Sequence, residues 1–366
     1  MSSDSFPGCL LELEEHAPCI FRLFLLHGLP HTSFPVNAPP SILTNMAFQQ
    51  SHLWREAATS ICREHESPDD LCPLRQALRL LRCRADFDVI VTMGARASLV
   101  YGLLCALLCK PSKQIMTEVF LDPPRPACPL WRLKTACFRW IARRAYGVLT
   151  NSSGEVPLIA GRFNLPEIKL RFVPMYTTIE NPGLREENDG TVISIGRTLR
   201  DLPTLLAAAS SIAAPIKVVA GQYDHIPSPL PANVEILREI PLEQTYDLLS
   251  RAAVAVAPLL PAERSTGQVF FFEAMAMGKP VVATRSIGTT DYLSDNENAL
   301  LVEPTNPQAL AAAVNRLLAD SALAARLAAQ ALKECQSDWT PDAHARHKLQ
   351  AIAELYAPAQ SHTGGL

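Results

Sequence analysis

Beyond residue 86 the sequence alternates between short apolar runs of strand length and longer segments with helical spacing, in two series separated by a polar break. In the first series Phe87–Met93 reads as a buried strand, Ala97–Cys109 as an apolar helix and Gln114–Phe120 as a strand. Trp131–Ala145 reads as a helix and Gly147–Thr150 as the next strand. In the second series Thr191–Ile195, Ile216–Ala220, Asn233–Leu237, Ala252–Ala257, Pro280–Thr284 and Ala299–Val302 are strands. Helices are expected over Leu202–Ser210, Leu242–Arg251, Gln268–Met277 and Pro307–Leu318. In the last, Leu310, Val314, Leu317 and Leu318 stand at i, i+4, i+7 and i+8, one apolar stripe turned to a sheet. Apolar strands joined through helices by short loops imply a parallel sheet covered on both faces. The break at Glu180–Gly190, with Asn181-Pro182-Gly183 and Glu186-Glu187-Asn188-Asp189-Gly190, has the composition of a linker. The expected fold class is α/β, with two Rossmann-like domains over residues 1–185 and 186–340. A final segment, 341–366, carries a helix over Asp342–Tyr356 that crosses back onto the first domain.

A chain of 366 residues suits two such cores better than one. Its first 85 residues are irregular: Cys19–Leu26 reads as a strand and Leu74–Cys83 as a helix, but four prolines interrupt Pro30–Ser41. His27 and His31 read as plain loop histidines. The net charge of −3 lacks the basic excess of a nucleic-acid binder, so no nucleic-acid partner is expected. Nine of the ten cysteines fall in the first 137 residues and none has Cys-x-x-Cys spacing. They read as reduced, mostly buried thiols of a cytoplasmic protein rather than as a metal or redox site. Asp4, Glu12, Glu14 and Glu15 leave no basic region ahead of an apolar run, so no secretory signal is expected. The longest apolar stretch, Ala97–Cys109, is shorter than the about 20 residues that span a bilayer.

Chemistry concentrates in Ser265–Thr284. Ser265 or Thr266 is positioned to cap a helix, and Gly267 lets another group approach that helix's free N–H groups. A helix N-terminus opening at Gln268 is a ready cradle for a diphosphate. Glu273 is the one charged residue among the Val, Phe, Ala and Met of that helix. A helix apolar all round is buried, and a buried carboxylate needs partners, either sugar and ribose hydroxyls or backbone amides nearby.

The run Glu273-Ala274-Met275-Ala276-Met277-Gly278-Lys279-Pro280-Val281-Val282-Ala283 resembles the donor-site signature of retaining GT-B glycosyltransferases of the glycogen-synthase-like group, glycosyltransferase family four. Ile195-Gly196-Arg197, Tyr246–Pro258 and Asn296–Val302 extend the resemblance in the same order, well over residues 190–320 and loosely over 87–175. The resemblance implies a GT-B architecture whose two Rossmann-like domains face each other across a cleft. It also implies a hexosyltransferase-type enzyme that moves a sugar from a nucleotide-diphosphate sugar to an acceptor hydroxyl with retention. Carried over by position, Gly196 and Arg197 contact the donor diphosphate. The family's following Lys is absent, and Arg200 is the nearest basic replacement. Glu273 falls where the family's second glutamate holds the nucleotide ribose. The first would fall at position 265, which is Ser265; Glu263 stands two residues away. The donor-binding set is thus Gly196, Arg197, Arg200, Ser265, Thr266, Gly267, Gln268 and Glu273. The family's histidine after the strand that faces the donor is replaced here by Glu118, with Asp122 just beyond, as candidates to orient an acceptor or take its proton.

No metal ligand is expected, and no cofactor is implied beyond the donor substrate. Acceptors compatible with this reading are a saccharide, a lipid-linked molecule or a small molecule. Arg132, Lys134, Arg139, Arg143 and Arg144 are interleaved with Trp131, Leu133, Phe138, Trp140 and Ile141. Such a helix is first expected to cover the sheet with its arginines solvated. The same composition also suits peripheral contact with the inner face of a membrane. Two other functions fit the fold: a nucleotide-sugar epimerase, and a catalytically inactive sugar-nucleotide-binding protein, the latter favoured by Ser265.

Overall fold

The alternation closes into two six-stranded sheets in which every named strand pairs in parallel with its neighbours. The computed structural model describes residues 39–46, 48, 50–62, 71–119, 125 and 127–361, with side chains described to residue 357. The expected strand Cys19–Leu26, the loop histidines His27 and His31, and Asp122 lie outside that set.

The first domain runs β1 (Ile42–Thr44), α1 (His52–Ala57), β2 (Ala58–Ser60), α2 (Pro73–Cys83), β3 (Val89–Met93) and α3 (Ala95–Leu107). It continues with β4 (Gln114–Thr117), α4 (Pro129–Arg144), β5 (Gly147–Thr150), α5 (Glu155–Phe163) and β6 (Leu170–Phe172). Its strand order is β2-β1-β3-β4-β5-β6. The second domain runs β7 (Val192–Ile195), α6 (Leu202–Ala209), β8 (Ile216–Ala220), β9 (Val234–Arg238), α7 (Leu242–Arg251) and β10 (Val254–Ala257). After these come α8 (Gln268–Ala276), β11 (Val281–Thr284), β12 (Leu300–Val302), α9 (Pro307–Ala319) and α10 (Ser321–Ser337), and its strand order is β12-β11-β10-β7-β8-β9. Strands β4, β5, β10 and β11 are buried at every residue, as parallel strands covered on both faces must be. The last described helix, α11 (Pro341–Ser361), places Ala345, Ala351, Ile352 and Leu355 with Ile42, Trp54, Val89 and Val91 in the core of the first domain.

The structure departs from the sequence expectation at several element ends. Strand β4 stops at Thr117 rather than Phe120, because Glu118 turns to a φ of +52° and leaves the extended region. Helix α3 begins directly after Gly94, whose φ of +84° makes the turn from β3. Helix α10 is not among the expected elements, although Leu323, Leu327, Ala331 and Cys335, four residues apart, form its buried stripe. Its start is nonetheless marked by Asp320, whose carboxylate accepts the Leu323 N–H at 2.9 Å.

Helices α3 and α4 cross where α3 has no side chain: a Cβ placed on Gly102 would collide with Cγ2 of Ile141. Ile141 is 1% exposed and has no room to retreat. Gly102→Val is therefore expected to lower the urea-unfolding free energy by about 1–3 kcal/mol through overpacking.

Candidate active site

In the second sheet the chain steps outward from β7 to β8 and β9, then returns to the other side of β7 with β10, β11 and β12. The direction reverses between β7 and β10, and an open α/β sheet takes its ligand outside the carboxyl ends of the strands at such a point. Gly196 follows β7 there, and the loop of residues 258–267 follows β10.

That loop delivers the N-terminus of α8. The N-cap is Gly267, with φ +90° and no side-chain hydrogen bond to the first turn. The expectation that Ser265 or Thr266 caps this helix is corrected: the Ser265 hydroxyl is engaged by Glu155, and the turn is uncapped. Leu259 closes over the cap, its Cδ1 lying 3.1 Å from where a Gly267 Cβ would stand. Gln268, 5% exposed, begins the helix, and its Nε2 is buried with no hydrogen-bond partner. A buried amide NH2 and a set of uncapped N–H groups therefore sit at one spot, short of acceptors.

The two arginines diverge. Arg197 turns outward, two-thirds exposed at its side chain, and its Nη2 meets Oε2 of Glu239 at 3.3 Å. Arg200 folds back over Gly196, whose φ is +142° and whose missing Cβ leaves room for the guanidinium. Its Nε donates to the Ile195 carbonyl at 3.1 Å and its Nη1 to the Thr198 carbonyl at 3.1 Å. The backbone of Arg200 also bridges Leu259, the residue that closes over Gly267. Arg200 is thus tied to the residue that covers the α8 N-terminus, whereas Arg197 pairs with Glu239.

Glu273 is 6% exposed and occupied: the Tyr246 hydroxyl on α7 donates to its Oε1 at 3.0 Å, and the Thr178 hydroxyl, in the segment after β6, donates to the same oxygen at 3.1 Å. Burial pushes its carboxyl above the ordinary range, and those two hydroxyls oppose the shift. Oε2 receives no donor among the described residues. Sequence reasoning does not single out Tyr246 or Thr178 as site residues, since each becomes relevant only by meeting Glu273.

The first domain reaches across to the same loop. Glu155, the first residue of α5 and 8% exposed, accepts the Ser265 N–H at 2.7 Å and the Ser265 hydroxyl at 3.0 Å on Oε1. Its Oε2 accepts the Asn151 N–H at 3.2 Å. Around it, the Ser153 N–H donates to Asp291 at 2.9 Å, the Tyr292 hydroxyl donates to the Asn151 carbonyl at 2.7 Å, and the Ser152 hydroxyl donates to the Ile287 carbonyl. Within the second domain the missing Cβ of Gly288 lets its loop pack on the loop of residues 258–267, since a Cβ there would lie 2.7 Å from the Thr266 nitrogen. Glu263, the sequence neighbour of position 265, pairs instead with Arg162 of α5 across the same junction. A carboxylate therefore does stand against residue 265, but it comes from the other domain. At the first residue of a helix, Glu155 reads in sequence as an ordinary dipole-favoured acid, which hides it.

On the first-domain side, Glu118 emerges at the carboxyl end of β4. It is electrostatically coupled to Tyr176 and Lys348. Lys348 of α11 is 1% exposed, with Nζ 5.5 Å from the centre of the Trp54 ring and 5.9 Å from that of Phe48. Burial pushes its ammonium down to about 8, against the pull of Glu118. Among the described residues no three His, Cys, Asp or Glu side chains converge to hold a metal ion.

Residues 218–320 match the family model described as Glycosyl transferases group 1. A lipopolysaccharide core biosynthesis glycosyltransferase, LpsE, from Rhizobium meliloti is 32% identical over 102 residues, 28% of this chain and 30% of the relative. A D-inositol 3-phosphate glycosyltransferase from Corynebacterium urealyticum is 38% identical over 87 residues, 24% of this chain and 20% of that one. The chain spans less than a third of the length of the curated relatives it matches. Likeness to solved structures extends over both domains. Sucrose-phosphate synthase from Thermosynechococcus elongatus aligns with a TM-score of 0.60 at 21% identity, covering 78% of this chain and 77% of that one. Anabaena Alr3699/HepE in complex with UDP aligns with a TM-score of 0.58 at 15% identity, covering 88% and 99%. Residues 218–320 are thus similar to the glycosyl transferases group 1 family, and the two domains share the GT-B fold of these structural neighbours.

Proposed function

We propose that this chain transfers a sugar from a nucleotide-diphosphate donor to an acceptor hydroxyl, with retention at the anomeric carbon. The observation that carries the reading is the buried N-terminus of α8, where uncapped N–H groups and the unpartnered Gln268 amide converge at the point where the strand order reverses. Diphosphate oxygens supply the acceptors that this spot lacks. As the bond from the anomeric carbon to the diphosphate breaks, charge gathers on the leaving oxygen, where these donors and Arg200 stabilise it. Thr266 and Gly267 shape the approach, Gly196 makes room for Arg200, and Arg197 extends the positive rim. Glu273 offers Oε2 to the nucleotide ribose while Oε1 stays with Tyr246 and Thr178. The Ser265–Glu155 pair borders the donor sugar. Glu118 and Asp122 are the candidates to orient the acceptor and take its proton. Support also comes from the similarity of residues 218–320 to the glycosyl transferases group 1 family and from structural neighbours solved with UDP.

The test is thermal unfolding against UDP, GDP, ADP, dTDP and their sugar conjugates, for the wild type, Gln268→Leu and Glu273→Ala. A nucleotide at 100 times its dissociation constant adds about 2.7 kcal/mol of stability. Gln268→Leu removes a buried group with no partner, so the unliganded variant is expected to be as stable as wild type or more so, while its nucleotide shift shrinks. No shift of the wild type by any nucleotide removes the donor site. A shift retained in full by both variants places that site elsewhere. Following the bound donor then separates transfer to an acceptor from epimerisation and from binding without turnover.

A further inference from the structure

Helix α4 packs on the first sheet through Phe138, Ile141 and Ala142, all buried. A second stripe, beside this buried face, is also apolar. Leu130, Leu133, Cys137 and Trp140 fall at i, i+3, i+7 and i+10, one stripe turned outward. Leu130 is 74% exposed, Leu133 61% and Trp140 48%. Beyond the stripe, Leu107 at the end of α3 is 78% exposed and the adjacent Leu108 51%. Single exposed leucines are ordinary, but several large apolar side chains exposed along one helix mark an interaction surface.

The surrounding charge narrows the choice of partner. Between Asp122 and Glu155 the chain has no acidic residue and six basic ones, in a protein whose net charge is −3. Arg132 and Arg139 lie beside the stripe, Arg144 lies over the Trp140 ring at 5.4 Å, and Arg143 turns back to donate to the Asn164 carbonyl at 3.0 Å. A tryptophan with an apolar body and a polar edge, leucines along a helix and flanking arginines match the interfacial layer of an anionic bilayer. A second copy of this chain on the same face would set guanidinium against guanidinium. A soluble polyanion would use the arginines and leave the leucines in water. We infer that the outward face of α4, with the end of α3, docks on an anionic lipid surface, α4 lying in the plane of the interface with Leu130, Leu133 and Trp140 inserted. This placement does not depend on the sugar-transfer reading.

The full chain is sedimented with phosphatidylcholine vesicles and with vesicles also containing phosphatidylglycerol, at low and high salt. Binding is expected only to the anionic vesicles and is expected to weaken with salt. Each basic residue near such a surface contributes about a fivefold factor in partition, so Arg132→Gln with Arg139→Gln is expected to cut binding roughly 30-fold. Leu133→Ser with Trp140→Ser, at exposed positions that leave the fold intact, is expected to cut it at least about tenfold. Tryptophan fluorescence is expected to shift to the blue on anionic vesicles for the wild type and much less for Trp140→Phe. Absence of binding, equal binding to neutral vesicles, or variants that bind as wild type would overturn the inference. So would concentration-dependent self-association without vesicles that the Leu133→Ser, Trp140→Ser variant abolishes, since that outcome gives the face to a second copy.

Discussion

Glu155→Ala is expected to cost about 2–4 kcal/mol of stability and about 10²-fold in sugar transfer, although the residue lies in the first domain and the proposed donor site in the second. Three donors end on this carboxylate: the Ser265 N–H and hydroxyl on one oxygen and the Asn151 N–H on the other. Ser265 is 3% exposed, so truncation leaves buried donors without an acceptor, and hydrogen bonds to a charged group are the costly ones to lose. The activity term has a separate origin. Ser265 and Thr266 lead directly into Gly267 and the uncapped turn of α8, and a displacement of about 1 Å in a positioning element is enough for such a loss. Glu155→Gln separates the two roles. A glutamine oxygen still accepts from Ser265, while its NH2 faces the Asn151 N–H, donor against donor. The expected result is recovery of most of the stability and part of the rate. Urea unfolding and initial rates on the three proteins check this. Full activity in Glu155→Ala would reduce the junction to a structural contact.

What can be read from the sequence depends on the distance along the chain over which each feature is built. The strand-helix alternation is local, and most of its elements stand within a few residues of where the periodicity puts them. Gly267 is legible because a glycine before a helix has a local conformational reason, and its φ of +90° supplies that reason. Glu273 is legible because a single charge in an apolar helix demands partners. Its partners are not, since Thr178 and Tyr246 lie 95 and 27 residues away. Glu155 stands 110 residues from Ser265, and nothing near either one announces the other. The arginines show the same limit at shorter range. Arg197 and Arg200 are equivalent as charges in a string of letters, and only the turn at Gly196 sends one guanidinium outward to Glu239 and folds the other over the end of β7. The basic helix is half legible: its charge pattern is in the sequence, whereas its split into a buried Phe138–Ile141 face and an exposed Leu133–Trp140 face requires the packing.

Replacing Lys348 by methionine (Lys348→Met) is expected to stabilise the protein at neutral pH by up to about 3 kcal/mol. The ammonium is 1% exposed, near the rings of Trp54 and Phe48, the Met46 sulfur and the buried His344 imidazole, with Glu118 contributing at longer range. Burial disfavours the charged form and pushes the group from 10.5 down to about 8. The sign follows from linkage. A lysine whose folded value is depressed contributes its full stability above the unfolded value, and that contribution is lost as pH falls through the folded value. At pH 7 both folded and unfolded chains carry the proton, and the folded state bears the whole cost of burying it, about 1.4 kcal/mol for each unit of the shift. Methionine keeps the length and apolar stem without the charge, at the loss of the cation–π contacts, which offset part of the gain. Urea-unfolding free energies of wild type and variant, measured from pH 7 to 11, are expected to differ most at the acid end and to converge between about 8 and 10.5 as the wild-type lysine loses its proton. Glu118 provides the internal control, because its charge holds the Lys348 value up. Glu118→Gln is expected to move the start of the convergence to lower pH while its end stays near 10.5, and a pH-independent difference between the wild type and Lys348→Met would mean that the ammonium is solvated in its cage.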